Sequence, residues 1–377
     1  MKRKGKYLMV DLFAGCGGLS TGMEQAGFTP WFVNEIVETF CNTYRCNHKL
    51  PDNHYYVGDI NKLNEEIGRF QTILKDITLV CGGPPCQGFS TANRHRIIDD
   101  PRNNLYKAYL QFLSVVRPKF FVMENVRGMA NKIEEIKQNF TEYLGDEYLF
   151  DAAIVEAQDY GVPQNRKRLI MIGNRMGVPP KAIFDELYKS KRAPFVLRDA
   201  LEGLPELSAR KEKGRSDIEN YVSGFTVRDF EYLDSDFYRF INGERKIEKL
   251  YNHKNRYNNE RDIEIYTRLP QGGDSLHPSI SDIMPYKRRN NIFKDKYFKL
   301  EEGKICKTIT SHMKYDCNMY IHPWQARGLS PREAARVQTF PDDYVFTGPQ
   351  NSWYAQIGNA VPVKLAKAIG DAIMKFL

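Results

Sequence analysis

Seven short apolar runs, at residues 7–13, 31–34, 55–57, 78–81, 120–123, 151–155 and 169–172, are separated by longer stretches of mixed polarity. Runs of this length read as strands, and strands alternating with helix-length segments build a mostly parallel sheet wrapped by helices. The first part of the chain is therefore predicted to be an α/β, doubly wound domain. After about residue 192 the alternation stops, and to about residue 304 the chain is rich in Tyr, Asn, Arg and Lys, with short irregular segments and little helical periodicity. That change predicts a second, smaller domain. Helical patterning returns at 330–336 and 362–376, the latter with Val363, Leu365, Ala366, Ile369, Ala372 and Ile373 on one stripe. Such a stripe must be covered, and the sheet of the first domain is the expected partner. The expected division is thus 1–192, 193–323, and a segment 324–377 that returns to the first domain.

No apolar run approaches the roughly 20 residues that cross a bilayer, so neither a membrane span nor a secretory leader is predicted. The seven cysteines (16, 41, 46, 81, 86, 306, 317) are odd in number and include no Cys-x-x-Cys pair. Neither a disulfide framework nor a zinc ribbon is expected, and no metal site. Reduced thiols point to the cytoplasm. Lys plus Arg exceeds Asp plus Glu by 55 − 47 = 8, which favours a polyanionic partner without requiring one. Within 286–300, Lys287, Arg288, Arg289, Lys294, Lys296 and Lys299 face only Asp295; this reads equally as a solvated surface or as a nucleic-acid contact.

Two segments carry chemistry. The first, Asp11-Leu-Phe13-Ala14-Gly15-Cys16-Gly17-Gly18-Leu19-Ser20, follows a strand and precedes a helix that Gly27 can close. Glycines at such a turn allow a ligand to approach the backbone closely. Glu35 lies 35 − 15 = 20 residues after Gly15 and ends the next run, where a carboxylate can accept from ribose hydroxyls. A dinucleotide fingerprint needs a third glycine where this chain has Ser20, and Asp11 repels a pyrophosphate but attracts an ammonium group. S-adenosylmethionine, with a ribose, an adenine and an ammonium but no phosphate, fits better than NAD. Asp59 can accept from an adenine amine or cap a helix.

The second segment, Cys81-Gly-Gly-Pro84-Pro85-Cys86-Gln87-Gly88-Phe89-Ser90, follows the fourth run. Two prolines hold the Cys86 thiol still, which suits a nucleophile, although a lone cysteine is also a common small core residue. Residues 91–104 read as a polar loop able to close over a substrate. Glu124, directly after the fifth run, is expected at the end of its strand, partly desolvated and poised for proton donation, or else as a helix cap.

Taken together these blocks resemble the C5-cytosine DNA methyltransferases over most of the chain. Gly83-Pro84-Pro85-Cys86-Gln87 resembles the nucleophile motif of that family, and Glu124-Asn125-Val126 its glutamate motif. Gln164-Asn165-Arg166-Lys167-Arg168 is similar to its Gln-x-Arg-x-Arg motif, and residues 327–342 and 356–362 are similar to its last two blocks. The resemblance implies a S-adenosylmethionine-dependent methyltransferase fold with a target-recognition domain at 193–323. It implies a cofactor pocket of Asp11, Phe13, Ala14, Gly15, Cys16, Gly17, Gly18, Leu19, Glu35, Ile36, Asp59, Ile60, Pro84, Asn359 and Ala360. Cys86, Glu124, Arg166 and Arg168 would carry the catalysis, and Ser90, Gln164 and Thr308 would contact the DNA or its flipped base. The implied reaction moves a methyl group from S-adenosylmethionine to carbon 5 of cytosine in duplex DNA, leaving S-adenosylhomocysteine, with no metal. The family habit further implies a monomer in the cytoplasm or nucleoid, paired in its system with a restriction endonuclease. The alternative is a tRNA cytosine-5 methyltransferase of the same fold, whose Cys-Phe-Thr signature this chain lacks.

Overall fold

The apolar runs become the strands of one sheet. The computed structural model describes residues 6–85, 105–214, 217–285 and 296–377. The strands are β1 (Leu8–Leu12), β2 (Thr29–Glu35), β3 (Tyr55–Val57), β4 (Leu79–Gly82), β5 (Phe120–Val126), β6 (Leu149–Glu156) and β7 (Lys167–Asn174), in the order β3-β2-β1-β4-β5-β7-β6. Pairing is parallel from β3 through β5, while β7 runs antiparallel to both β5 and β6. Every residue of β1 and β4 is buried, as expected of central parallel strands covered on both faces. The helices are α1 (Gly18–Gln25), α2 (Glu38–Asn47), α3 (Ile60–Glu65), α4 (Leu105–Val116), α5 (Ile133–Leu144) and α6 (Pro180–Lys189). The doubly wound α/β expectation holds. Among the described residues, no helix is long and apolar enough to cross a membrane.

The chain divides into two compact units, one of Met1–Gly161, Arg166–Ala193 and Ala360–Leu377, the other of Val162–Asn165 and Pro194–Asn359. Residues 324–359 group with the second unit and 360–377 with the first. The second unit holds a hairpin of β8 (Gly224–Asp229) and β9 (Lys249–Lys254) with α7 (Leu197–Leu201), α8 (Asp236–Asn242), α9 (Glu260–Arg268), α10 (Pro331–Val337) and α11 (Gln350–Asn359). Its centre is charged. Arg327 grips Glu333 with both terminal nitrogens at 2.8 and 2.6 Å, Arg336 pairs with Asp342 at 2.7 and 2.9 Å, and all seven residues of α10 are buried. Ser330 and Glu333 cap α10 reciprocally. Two buried histidines flank this centre. His253 Nε2 faces the Pro205 carbonyl at 2.7 Å, so it carries the proton and Nδ1 accepts from Ser330. His322 Nδ1 accepts from the amides of Trp324 and Gln325, both at 3.1 Å. Burial lowers the two pKa values to about 4 for His253 and about 3 for His322.

The final helix, α12 (Val363–Met374), buries the predicted stripe, but its cover is α1 and α6 rather than the sheet itself. Gly22 makes the contact possible. A Cβ there would run into Ala366 Cβ and the Val363 carbonyl and would sit 2.6 Å from Lys367 N. Because backbone cannot yield as a side-chain end can, Gly22→Ala is expected to cost about 1–3 kcal/mol. Urea denaturation checks this, and an unchanged midpoint would remove the helix contact from the account.

Candidate active site

Strand register determines which residues meet. Leu12 lies opposite Asn34 of β2 and Gly82 of β4, and Gly82 lies opposite Met123 of β5. The segments beginning at Phe13, Glu35, Gly83 and Glu124 therefore emerge level at the carboxyl edge of the sheet, where open α/β folds bind ligands.

The glycine turn is wound tightly. Phe13, Gly15 and Gly17 have φ of 57°, 57° and 90°; for Phe13 that conformation costs about 1–2 kcal/mol, which the surrounding bonds must offset. The Ala14 amide donates to Asn34 O at 3.0 Å and the Gly17 amide to Ala14 O at 2.9 Å. Glu35 is 6% exposed and accepts from the Gly15 amide at 2.7 Å and the Val37 amide at 2.8 Å. Burial raises the Glu35 pKa, against the lowering effect of these bonds. Ala14, Cys16, Gly18 and Leu19 are buried, Cys16 with its thiol pushed up to about 12 by burial, while a Cβ on Gly15 would meet nothing within 4 Å. The turn thus faces open space at Gly15.

Asp11 is 1% exposed and accepts from Ser20 Oγ at 2.6 Å; burial pushes its pKa up to about 7. The carboxyl expected to meet a ligand ammonium is buried beneath the turn and bonded to Ser20. Ile36 is 65% exposed and Val57, opposite Glu35 in the β2–β3 register, is 38% exposed. Both exposed apolar residues neighbour Glu35, one along the chain and one across the strand pair. Asp59 caps α3, its Oδ1 accepting from the Asn61 amide at 2.8 Å, and Ile60 is buried behind it.

The chemistry-bearing side chains of β5 and β7 share a face. Glu124 pairs with Ile170 and Val126 with Arg168, so Glu124 and Arg168 are diagonal neighbours on one side of an antiparallel pair. Arg168 Nε donates to Glu124 Oε1 at 2.7 Å. Glu124 lies inside β5, which runs on to Val126, and is mostly buried with the Arg168 guanidinium as its partner. A Cβ on Gly83 would sit 3.2 Å from Glu124 Oε2, so this segment runs close against the carboxylate. Asn125, which had no assigned role, is buried and donates to the Pro84 carbonyl at 2.9 Å. Cys86 and Ser90 lie outside the described residues.

Arg166 is buried and donates to the Ala360 carbonyl at 3.0 Å. In the second unit, Gln164 is 0% exposed: its amide nitrogen donates to Gln338 Oε1 at 2.7 Å and its oxygen accepts from the Ile309 amide at 2.9 Å. With both ends committed and no exposed surface, Gln164 does not present itself to a base; it fixes the Thr308–Ile309 segment instead. Thr308 donates to the Asn165 carbonyl. Asn359 ends α11 in the second unit and is exposed.

An open turn, a carboxylate bonded into it and two exposed apolar residues beside it suit a nucleoside, and two buried carboxyls, Asp11 and Glu35, disfavour a phosphate. S-adenosylmethionine meets both conditions. Ser20 and Asn125, bonded to Asp11 and to the Pro84 carbonyl, stood inside quoted motifs without an assigned role, and Val57 is marked only by being apolar at a strand end.

The family model for C-5 cytosine-specific DNA methylases matches residues 7–375. The chain is 31% identical to the Type II methyltransferase M1.HphI of Haemophilus parahaemolyticus, over 97% of this chain and 86% of that one. It is 32% identical to the Type II methyltransferase M.NgoPII of Neisseria gonorrhoeae, over 98% and 96%. Among solved structures, a candidate DNA modification methyltransferase encoded within an E. coli prophage superposes with a TM-score of 0.75 at 27% identity, covering 98% of this chain and 99% of that one. A match across nearly every residue, on a sheet that levels the glycine turn with Glu124, leaves one conclusion: the chain belongs to the C-5 cytosine-specific DNA methylases and is a DNA cytosine-5-methyltransferase.

Proposed function

We propose that this enzyme methylates carbon 5 of a cytosine flipped out of duplex DNA, through a transient bond between Cys86 Sγ and carbon 6. The observation that carries this reading is the level placement of the glycine turn, the Pro84–Pro85 step and the Glu124–Arg168 pair at one sheet edge. Carbon 5 is too electron-poor to react unaided. The Cys86 thiolate donates its electron pair to carbon 6, opening the 5,6 double bond, and Glu124 at N3 stabilises the charge that develops in the ring. Arg168 holds Glu124 in place, and Asn125 fixes the Pro84 carbonyl two residues before the thiol. Glu35 with Gly15, Ile36 and Val57 would hold S-adenosylmethionine, which when bound supplies an electrophilic methyl group and leaves as S-adenosylhomocysteine. Once carbon 5 is methylated, a base takes its proton, the C–H electrons restore the double bond, and the Cys86–C6 bond breaks. Extrusion of the base costs a few kcal/mol. The names of the relatives support assignment as the modification enzyme of a Type II restriction–modification system, with an endonuclease as functional counterpart.

Duplex DNA carrying 5-fluorocytosine at the target tests this directly. Fluorine cannot leave as a cation, so the enzyme should methylate once and remain attached. The adduct is expected to survive denaturing electrophoresis, to require S-adenosylmethionine and to map to the peptide containing Cys86. An adduct on another cysteine would overturn the mechanism.

A further inference from the structure

A buried polar cluster lies against the glycine turn and takes no part in the chemistry above. Ser20 Oγ, whose proton goes to Asp11, is 2.7 Å from Tyr44 Oη. The neighbouring Thr21 donates its hydroxyl to the Gly17 carbonyl at 2.7 Å, and its oxygen lies 3.2 Å from His48 Nε2. His48 Nδ1 is 3.1 Å from Glu24 Oε2, and the Tyr44 and His48 rings lie 4.4 Å apart. Tyr44 belongs to α2 and His48 caps its carboxyl end, and both are buried.

We propose that Tyr44 and His48 are positioning residues for the cofactor turn, Tyr44 acting through Ser20 and Asp11, and His48 through Thr21 and the Gly17 carbonyl. Two features support this. Burying hydroxyl and imidazole groups costs free energy that an apolar core would avoid, so their retention beside the turn calls for a reason beyond packing. The turn itself holds Phe13, Gly15 and Gly17 at positive φ, and the bonds that restrain it come from two sides. Glu35, at the end of β2, holds the Gly15 amide; Tyr44 of α2 meets Ser20, and His48, which caps α2, meets Thr21. One continuous β2–α2 segment therefore sets both ends of the turn. Preorganisation of this kind improves affinity by reducing the ordering cost of binding.

The inference rests on the turn being the S-adenosylmethionine site, and the test separates the two. In the full chain, Tyr44→Phe is expected to raise KM and Kd for S-adenosylmethionine about 5–20-fold, the size of one lost hydrogen bond, with KM for DNA unchanged. Ser20→Ala combined with Tyr44→Phe should cost less than the sum of the two. His48→Ala should weaken the cofactor similarly, and His48→Gln, which keeps a polar atom near Thr21, should restore most of the affinity. Glu35→Gln is the control. If it loses affinity while Tyr44→Phe and His48→Ala only lower Tm, the cluster is structural and the inference fails. If Glu35→Gln leaves affinity unchanged, the cofactor site is elsewhere and both readings fall.

Discussion

Replacing Cys86 with alanine is expected to leave binding of DNA and S-adenosylmethionine in place and to lower kcat by about four orders of magnitude or more, as for other covalent nucleophiles. The thiol enters only when carbon 6 is attacked. Glu124→Gln should also lose turnover with binding retained, but less completely, because a neutral amide still offers N3 a hydrogen bond while leaving Arg168 without its carboxylate. Single-turnover methylation with tritiated donor, alongside gel-shift affinities, separates the steps. Methyl transfer by Cys86→Ala at more than a few per cent of the parent rate would remove Cys86 from the mechanism.

Acidification should weaken the second unit while strengthening the first. Below about pH 6.5 the unfolded chain takes up protons at His253 and His322, whereas the native histidines resist until about pH 4 and about pH 3. Proton uptake then favours unfolding. Between pH 6.5 and 5 each histidine costs about 2 kcal/mol, or about 4 kcal/mol together. Asp11 works in the opposite direction. Its native carboxyl takes a proton from about pH 7 downward and the unfolded one only near its ordinary 3.8, so the first unit gains about 2 kcal/mol between pH 7 and 5. Glu35, raised by burial, adds to this gain, and His54, lowered by burial, subtracts from it. Hydrogen exchange corrected for intrinsic rates should show amides around Leu250 and Val337 losing protection at pH 5 while those around Val10 and Val80 keep or gain it. His322→Asn should remove about half of the loss. Protection in the second unit that does not respond to pH would contradict the neutral buried histidines.

The parallel core was legible because its strands are mostly apolar; β1 and β4 have no solvent face to interrupt the pattern. β5 was cut short at Met123 for the opposite reason. Glu124 and Asn125 continue the strand but serve the site, so their polarity hides the extension to Val126. Helices α8 and α9 lay in a stretch that looked irregular, since Tyr and Asn supply much of their burial. The caps Ser235 and Asn259, each accepting from an amide three residues on, were the usable signal. Buried charge was beyond reach: nothing in hydropathy marks Arg327, Arg332 and Glu333 as interior residues, because their burial depends on partners brought together by folding. Spacing paired Gly15 with Glu35 correctly, but could not tell that the carboxylate braces the turn as well as facing it.

The packing of α12 on α1 also has a temporal side. Gly22 is made early and its partner helix begins 363 − 22 = 341 residues later. At about 5–20 residues per second, a ribosome needs roughly 20–70 s to span that interval. Throughout it, the nascent chain carries the glycine turn on a helix whose Gly22 side has no cover. Interrupted synthesis would therefore yield fragments that contain Cys86 and Glu124 yet lack a settled cofactor turn, so that methylation starts only with chains translated through residue 374.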